Sequence, residues 1–220
     1  MYLCSKFLEC VIEDINILRP LGNVPVSTGV LKSLLTRYAN PNAKIKLWME
    51  QGYLVPLKRG LYIVSPVITQ QEPCLGLIAN HLYMPSYVSL QFALREYGLI
   101  PEFVHLVTSI TTCHAREFSN TFGSFAYHNV SRTYFALGVT SRTEGRSAYM
   151  IATPEKALAD TILFTTKVPA SLVGLMQFLE EDMRFDIDAL RQMQIPLLKA
   201  IAEIAPKRTV IQNLITLCQR

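Results

Sequence analysis

The chain has 220 residues, of which 50% are hydrophobic and 17% are charged, and its formal net charge is +4. This length suits two small domains, and the large apolar share leaves surface for a homo-oligomeric or partner interface. No run reaches the roughly 18 apolar residues of a membrane-spanning helix, and acidic side chains interrupt the N-terminus where a signal peptide would be apolar. We therefore expect a cytoplasmic protein with no membrane span.

The five cysteines and four histidines are scattered along the chain. No Cys-x-x-Cys pair occurs, and the histidines do not cluster with the cysteines. Scattered cysteines in a cytoplasmic chain are usually reduced and buried, because metal sites need closely spaced ligands. The sequence therefore predicts neither a metal site nor another cofactor.

The positive charge is concentrated in the first third of the chain. Residues 1–65 contain eight Lys or Arg against four Asp or Glu, whereas residues 66–220 contain thirteen of each sign. A localised basic segment is typical of a module that binds a polyanion such as nucleic acid. The alternative is an ordinary helical bundle with solvated lysines on its surface.

Three helices are predicted before residue 53. Helical spacing of apolar residues indicates the first over residues 7–18, with Glu9, Glu13 and Asp14 on its other face. Ser27 or Thr28 caps the second helix, and Asn40 followed by proline begins the third. The side chains expected to face the core are Phe7, Leu8, Val11, Ile12, Ile15 and Leu18 in the first helix, Val30, Leu31, Leu34, Leu35 and Tyr38 in the second, and Ile45, Trp48 and Met49 in the third.

Two β-prone runs follow between Leu54 and Val64, divided by Lys58-Arg59-Gly60. Such a pattern predicts a hairpin with a charged tip. Three helices followed by a two-stranded hairpin is the order of a winged helix-turn-helix. In that architecture the third helix enters the major groove of DNA. The hairpin is the wing, and its basic tip would meet the phosphate backbone or enter the minor groove.

The third helix supplies most of the candidate DNA-binding residues. Its exposed face is expected to present Ala43, Lys46, Leu47 and Glu50, with Asn42 and Lys44 on the flanks. Asparagine can pair with adenine, and lysine can reach guanine or a phosphate, whereas a glutamate fits poorly beside DNA. The predicted DNA-binding residues are Arg37, Asn40, Asn42, Lys44, Lys46, Lys58 and Arg59.

The rest of the chain mixes helices and strands. We predict an α+β protein: a winged helix-turn-helix over residues 1–65, a linker at 66–73, and a mixed α/β domain with a helical C-terminal end at 74–220. In this second domain helices are predicted at 75–83, 86–97, from Thr153 onward, 172–183, 196–204 and 207–218, and strands at 104–111, 122–130, 134–139 and 148–152.

No catalytic constellation is recognisable in the sequence. Neither a Walker A motif nor a dinucleotide-binding glycine fingerprint is present. We therefore expect that the protein is not an enzyme. Two alternatives stay open. One is a winged helix used only for protein contact, and the other is a nucleic-acid-processing enzyme whose second domain is a metal-dependent, nuclease-like fold using Glu117, Glu155, Lys156 and Asp160.

Three phrases of the sequence resemble the AbiEi-like antitoxins, which are regulators of bacterial abortive-infection systems. The phrases are LKRGLYIV, PSYVSLQFALREYGLIPE and IATPEKALAD. The matching positions are Lys58 to Val64, Tyr87 to Glu102 and Thr153 to Asp160, in the family's order. Ala159 departs from the pattern, since a larger apolar residue is usual there. Residues after about Leu172 match no part of the family pattern.

The resemblance implies a more specific function than the residues do by themselves. It implies a transcriptional repressor that binds inverted repeats in double-stranded DNA upstream of its own operon. It also implies the antitoxin of a type IV toxin–antitoxin system in phage defence. Such an antitoxin opposes a nucleotidyltransferase-like toxin without forming a stable complex with it. Only the DNA-binding part of this expectation follows independently from the residues.

Overall fold

A computed structural model of the chain describes residues 11–102 and 104–220. It is a mixed α+β structure with one three-stranded and one six-stranded sheet. Residues 11–18 form helix α1, which runs into a 3₁₀ turn at Arg19–Leu21. The predicted core residues Phe7 and Leu8 lie outside the described residues. None of the described helices is long and apolar enough to cross a bilayer.

The N-terminal part continues with a small sheet that packs on two helices. Its strand order is β1-β3-β2, and both pairs are antiparallel. The predicted hairpin is confirmed, whereas β1 was missed because two residues give no alternating pattern. The elements are β1 (Val26–Ser27), α2 (Thr28–Leu34), α3 (Pro41–Glu50), β2 (Leu54–Lys58), β3 (Leu61–Val64) and α4 (Pro66–Thr69).

Local capping explains where α2 and α3 begin, as the sequence predicted. Ser27 Oγ accepts a hydrogen bond from the backbone N–H of Val30 at 3.3 Å. Asn40 Oδ1 accepts one from Ala43 N–H at 3.1 Å. Each side chain satisfies a donor that the first helical turn would otherwise leave unpaired.

The buried faces of the N-terminal helices are narrower than predicted. Ile12, Val30 and Leu34 are 52%, 45% and 41% exposed, so their assignment to the core was wrong. Within the seven-residue helix α2 only Leu31 is buried, and Leu35 follows four positions later on the same side, just after the helix, so that the flanks of α2 lie in solvent. The predicted residues that are buried are Leu18, Leu31, Leu35, Ile45 and Trp48.

The remaining chain forms the larger sheet and the helices that cover it. The strand order is β6-β7-β5-β4-β9-β8, parallel at β5–β7 and β4–β9 and antiparallel elsewhere. A π-helical turn and a 3₁₀ helix lie between α9 and α10, at Phe178–Asp182 and Ile187–Gln192. The elements are α5 (Leu75–Leu82), β4 (Ser86–Val88), α6 (Leu90–Glu96), β5 (Leu106–Thr111), β6 (Arg116–Asn120), β7 (Gly123–Asn129), α7 (Arg132–Phe135), β8 (Val139–Glu144), β9 (Ser147–Ala152), α8 (Pro154–Phe164), α9 (Leu172–Gln177), α10 (Ile195–Ile204) and α11 (Arg208–Cys218).

Two predicted features of this part were wrong. Residues 86–97 do not form one helix, because their first three residues are the strand β4, paired with both β5 and β9. Residues 134–139 are not a strand, since Ser131 caps the helical turn α7 by accepting from Tyr134 N–H. Helix α4 occupies the first four residues of the expected linker at 66–73, and its Ile68 is buried in the N-terminal core.

The hairpin β2–β3 has apolar side chains on both of its faces. Leu54 and Val64 belong to the N-terminal core. Leu57, Leu61 and Ile63 belong to the larger core around the six-stranded sheet. Because successive residues of a strand point to opposite faces, one short hairpin lies between the two cores and contributes to each.

A buried ion pair within the segment IATPEKALAD belongs to a hydrogen-bond network that reaches the segment PSYVSLQFALREYGLIPE. Lys156 Nζ lies 3.1 Å from Asp160 Oδ1, and both side chains are fully buried. Ser89 Oγ and Tyr87 O–H donate to Asp160 Oδ2 at 2.6 and 3.2 Å, and Lys156 Nζ donates to the Tyr134 carbonyl. Burial lowers the pKa of Lys156 to about 8, and burial raises the pKa of Asp160 against the pull of the ammonium. The network therefore fixes α8 against β4.

We expect Lys156→Met to lower the free energy of unfolding by about 3–5 kcal/mol, because it leaves a buried carboxylate without its cation. Adding Asp160→Asn should restore much of that loss, since the amide oxygen still accepts from Ser89 and Tyr87. Urea unfolding followed by far-UV circular dichroism measures both variants. Strictly additive losses in the double variant would contradict the ion pair.

Candidate nucleic-acid interface

The exposed surface of α3 is the one that the sequence predicted, except at Lys44. Asn42, Ala43, Lys46, Leu47 and Glu50 all lie in solvent. Lys46 Nζ is 3.7 Å from Glu50 Oε1, and these side chains are 74% and 59% exposed. A solvated pair of this kind contributes at most about 1 kcal/mol. The Lys46 ammonium can therefore exchange its partner for another anion at little cost.

The start of α3 presents two asparagines with different roles. Asn40 uses its Oδ1 to cap the helix, so its amide N–H₂ group is what remains for a ligand. Asn42 is exposed and has no hydrogen-bond partner among the described residues. Its side chain can therefore offer both the donor and the acceptor that adenine recognition requires.

Lys44 does not lie on the exposed flank of α3, and that prediction was wrong. Its side chain is 7% exposed, and Nζ lies 2.7 Å from Asp14 Oδ1 on α1. The ammonium also sits over the rings of Tyr38 and Trp48, 5.2 and 5.7 Å from their centroids. Asp14 is likewise buried, although the sequence placed it on the solvent face of α1. Lys44 therefore holds α1 against α3 and is withdrawn from the candidate interface.

Arg37 lies in the turn between α2 and α3, and its side chain is exposed. It borders a shallow cleft between the first two helices, together with Ile12 and Leu34. The chain places it three residues before the capping Asn40. A guanidinium at this position can reach a phosphate beside the start of α3.

The two basic residues at the hairpin tip point in different directions. Arg59 is exposed, as predicted. Lys58 instead donates from Nζ to the carbonyl of Leu82 at the end of α5, at 2.5 Å, and lies 5.8 Å from the ring centroid of Phe118. Burial and the nearby charge of Arg116 lower the pKa of Lys58. The two side chains therefore do not point the same way, and of the two only Arg59 lies free in solvent at the tip.

The turn itself is fixed to the start of α2. Gly60 adopts φ +80°, a conformation that other residues rarely take. Its carbonyl accepts a hydrogen bond from Thr28 N–H at 3.0 Å. This contact holds the exposed Arg59 beside the N-terminus of α2, within the same module as α3.

The structure does not bring together the residues of the nuclease-like alternative. Glu155 Oε1 accepts from Gln194 N–H at 2.9 Å, whereas Asp160 and Lys156 engage each other. Glu117 is exposed on the edge strand β6. Within residues 11–102 and 104–220, no three His, Cys, Asp or Glu side chains are grouped so that they could hold a metal ion.

Comparisons with known proteins give no further assignment. No protein-family model matches this chain, and no curated protein has a significantly similar sequence.

Lys44 and Lys46, two positions apart on α3, provide a matched test of this geometry. Lys44→Met should lower the free energy of unfolding by about 3–5 kcal/mol, because it leaves Asp14 buried without its cation. Lys46→Met should change it by less than about 0.5 kcal/mol, as expected for a solvated side chain. Trp48 is the single tryptophan, so its fluorescence reports unfolding of this module. Equal effects of the two substitutions would contradict the placement of Lys44.

Proposed function

We propose that this protein is a DNA-binding transcriptional repressor whose residues 1–65 act as a winged helix-turn-helix. In this proposal α2 and α3 are the helix-turn-helix, and the hairpin β2–β3 is the wing. The observation that carries it is the exposed surface of α3, where Asn42 and Lys46 lie on a small helical module that ends in a basic-tipped hairpin. A module of this kind inserts its third helix into the major groove.

The exposed cations would supply affinity, and α3 would supply sequence choice. Each Lys or Arg that neutralises a phosphate releases a condensed counterion, so binding weakens as salt rises. Arg37, Lys46 and Arg59 are the exposed candidates for this role. Asn42 is the candidate for a base contact, because it is exposed near the start of the helix and carries a donor and an acceptor.

The wing would contribute through Arg59 rather than through both basic residues. Lys58 donates to the Leu82 carbonyl, and its ammonium lies over the ring of Phe118. It would have to break these contacts to reach a phosphate. In our proposal Lys58 serves instead to hold the wing at a fixed position relative to the six-stranded sheet.

The narrower function rests on the resemblance to AbiEi-like antitoxins. We extend the proposal accordingly. Two copies of the protein bind inverted repeats upstream of their own operon in the cytoplasm. The protein also opposes a nucleotidyltransferase-like toxin. The test is bacterial growth with a nucleotidyltransferase-like gene from the same operon, expressed with and without this protein. Restored growth supports the antitoxin role. Growth arrest with and without this protein would refute the antitoxin role but would not bear on the repressor role.

The repressor role is tested by fluorescence anisotropy with DNA from upstream of its own operon, at 50 and 200 mM salt with unrelated competitor DNA. We expect binding that resists competitor and falls with salt. Arg59→Ala should weaken binding to all sequences and reduce the slope of log K against log salt by about 0.9, the share of one phosphate contact. Lys58→Ala should leave that slope unchanged.

The controls separate base contacts from phosphate contacts. Asn42→Ala should cost about 1–3 kcal/mol on the preferred sequence only, because it removes a bidentate base contact. Thr166→Ala, a substitution at an exposed site far along the chain, should leave binding unchanged. Weak binding that competitor abolishes would refute the repressor, and an unchanged salt slope in Arg59→Ala would refute the role of the wing.

A further inference from the structure

A second cleft, of about 440 Å³, opens between α5, the segment that leads into β4, and strands β8 and β9. It is lined by the half-buried Phe135, by the exposed side chains of Met84 and Met150, and by Tyr87 and Tyr149, which are almost completely buried. The volume falls in the range of sites that hold small organic molecules, and those sites are mostly apolar with a few polar groups.

The shape of the cleft is set by a close approach between α5 and β9. A Cβ atom added at Gly76 would lie 2.3 Å from Cε2 of Tyr149, so only glycine lets this ring lie against the helix. Asn80 completes the junction, since its Oδ1 accepts from Met150 N–H at 2.6 Å. Met84 and Met150 are 68% and 43% exposed, and their flexible thioethers can adapt to an aromatic occupant.

The polar groups of the cleft are few and carry no charge. No Lys, Arg, Asp or Glu lines it. Tyr87 donates its O–H to Asp160, and Asn80 is engaged by Met150. Ser86 Oγ is buried with no hydrogen-bond partner among the described residues. His81, for which the described part of the chain likewise provides no partner, has its pKa lowered by burial, which favours the neutral form of its ring.

We propose that this cleft binds a small, neutral, planar aromatic molecule whose edge carries a hydrogen-bonding group. The ring of Phe135 and the flexible thioethers of Met84 and Met150 suit a flat π-system in polarity and can adapt to its shape. The absence of charged groups from the cleft lining disfavours an ionic ligand, because its charge would be desolvated without a counter-charge. The neutral imidazole of His81 offers one donor and one acceptor for the polar edge. This binding site is independent of the proposed DNA-binding surface.

The test uses the full chain and 6-fluoroindole, a neutral bicyclic probe with one N–H donor. Titration followed by ¹⁹F NMR should show broadening and a shift of the ligand signal, with Kd on the order of 0.1–1 mM for a molecule of this size. His81→Leu keeps the volume of the side chain but removes its hydrogen bond, and should weaken binding roughly 3–10-fold.

A matched pair of variants locates the site. Ala148 lines the cleft, and Ala115 is exposed between β5 and β6, outside it. Ala148→Trp should fill the cleft and weaken binding at least tenfold, whereas Ala115→Trp should leave it unchanged. Far-UV circular dichroism confirms that both variants are folded.

Three outcomes would overturn the proposal. The first is the absence of any ¹⁹F change with the wild-type chain, and the second is a change that survives in Ala148→Trp. The third is a wild-type dimer in sedimentation velocity that Ala148→Trp converts to monomer, because a second copy of the chain would then cover the cleft.

Discussion

The position of the hairpin β2–β3 between two cores constrains the rest of the structure. Residues Leu61 and Ile63 face the larger core, whereas Val64 faces the N-terminal core. Asn120 Nδ2 donates to the Leu57 carbonyl, which adds a polar contact on the side of the six-stranded sheet. A single hairpin therefore contributes side chains to both cores and connects the module that contains α3 to the six-stranded sheet. Lys58 Nζ donates to the carbonyl of Leu82, the last residue of α5, and α5 also lines the cleft next to β8 and β9.

The Lys and Arg side chains among the predicted DNA-binding residues fall into two groups. Lys44 and Lys58 are turned inward, onto a carboxylate in one case and onto a carbonyl in the other. Arg37, Lys46 and Arg59 remain in solvent. The net charge of residues 1–65 therefore overstates the charge available to a ligand. A burial cost of this kind is acceptable only where the cation finds a partner, and both inward lysines have one.

Local chemistry made much of the fold predictable from the sequence, and tertiary contacts account for what was missed. Capping by Ser27, Asn40 and Thr153 follows from neighbouring residues alone, so the starts of the corresponding helices were predicted correctly. β4 was missed because its three residues are a strand only by pairing with β5 and β9 on either side. In the candidate site the direction of Lys58 was missed for the same reason, since its partners Leu82 and Phe118 are distant in sequence.

The central claim is that duplex DNA binds at α3 and the exposed side of the hairpin tip. Hydrogen–deuterium exchange of the full chain, with and without DNA from upstream of its own operon, tests it directly. We expect slower amide exchange in residues 37–50 and 58–61 when DNA is bound, and unchanged exchange in β6 and β7. Slower exchange confined to the six-stranded sheet, with α3 unaffected, would contradict the account.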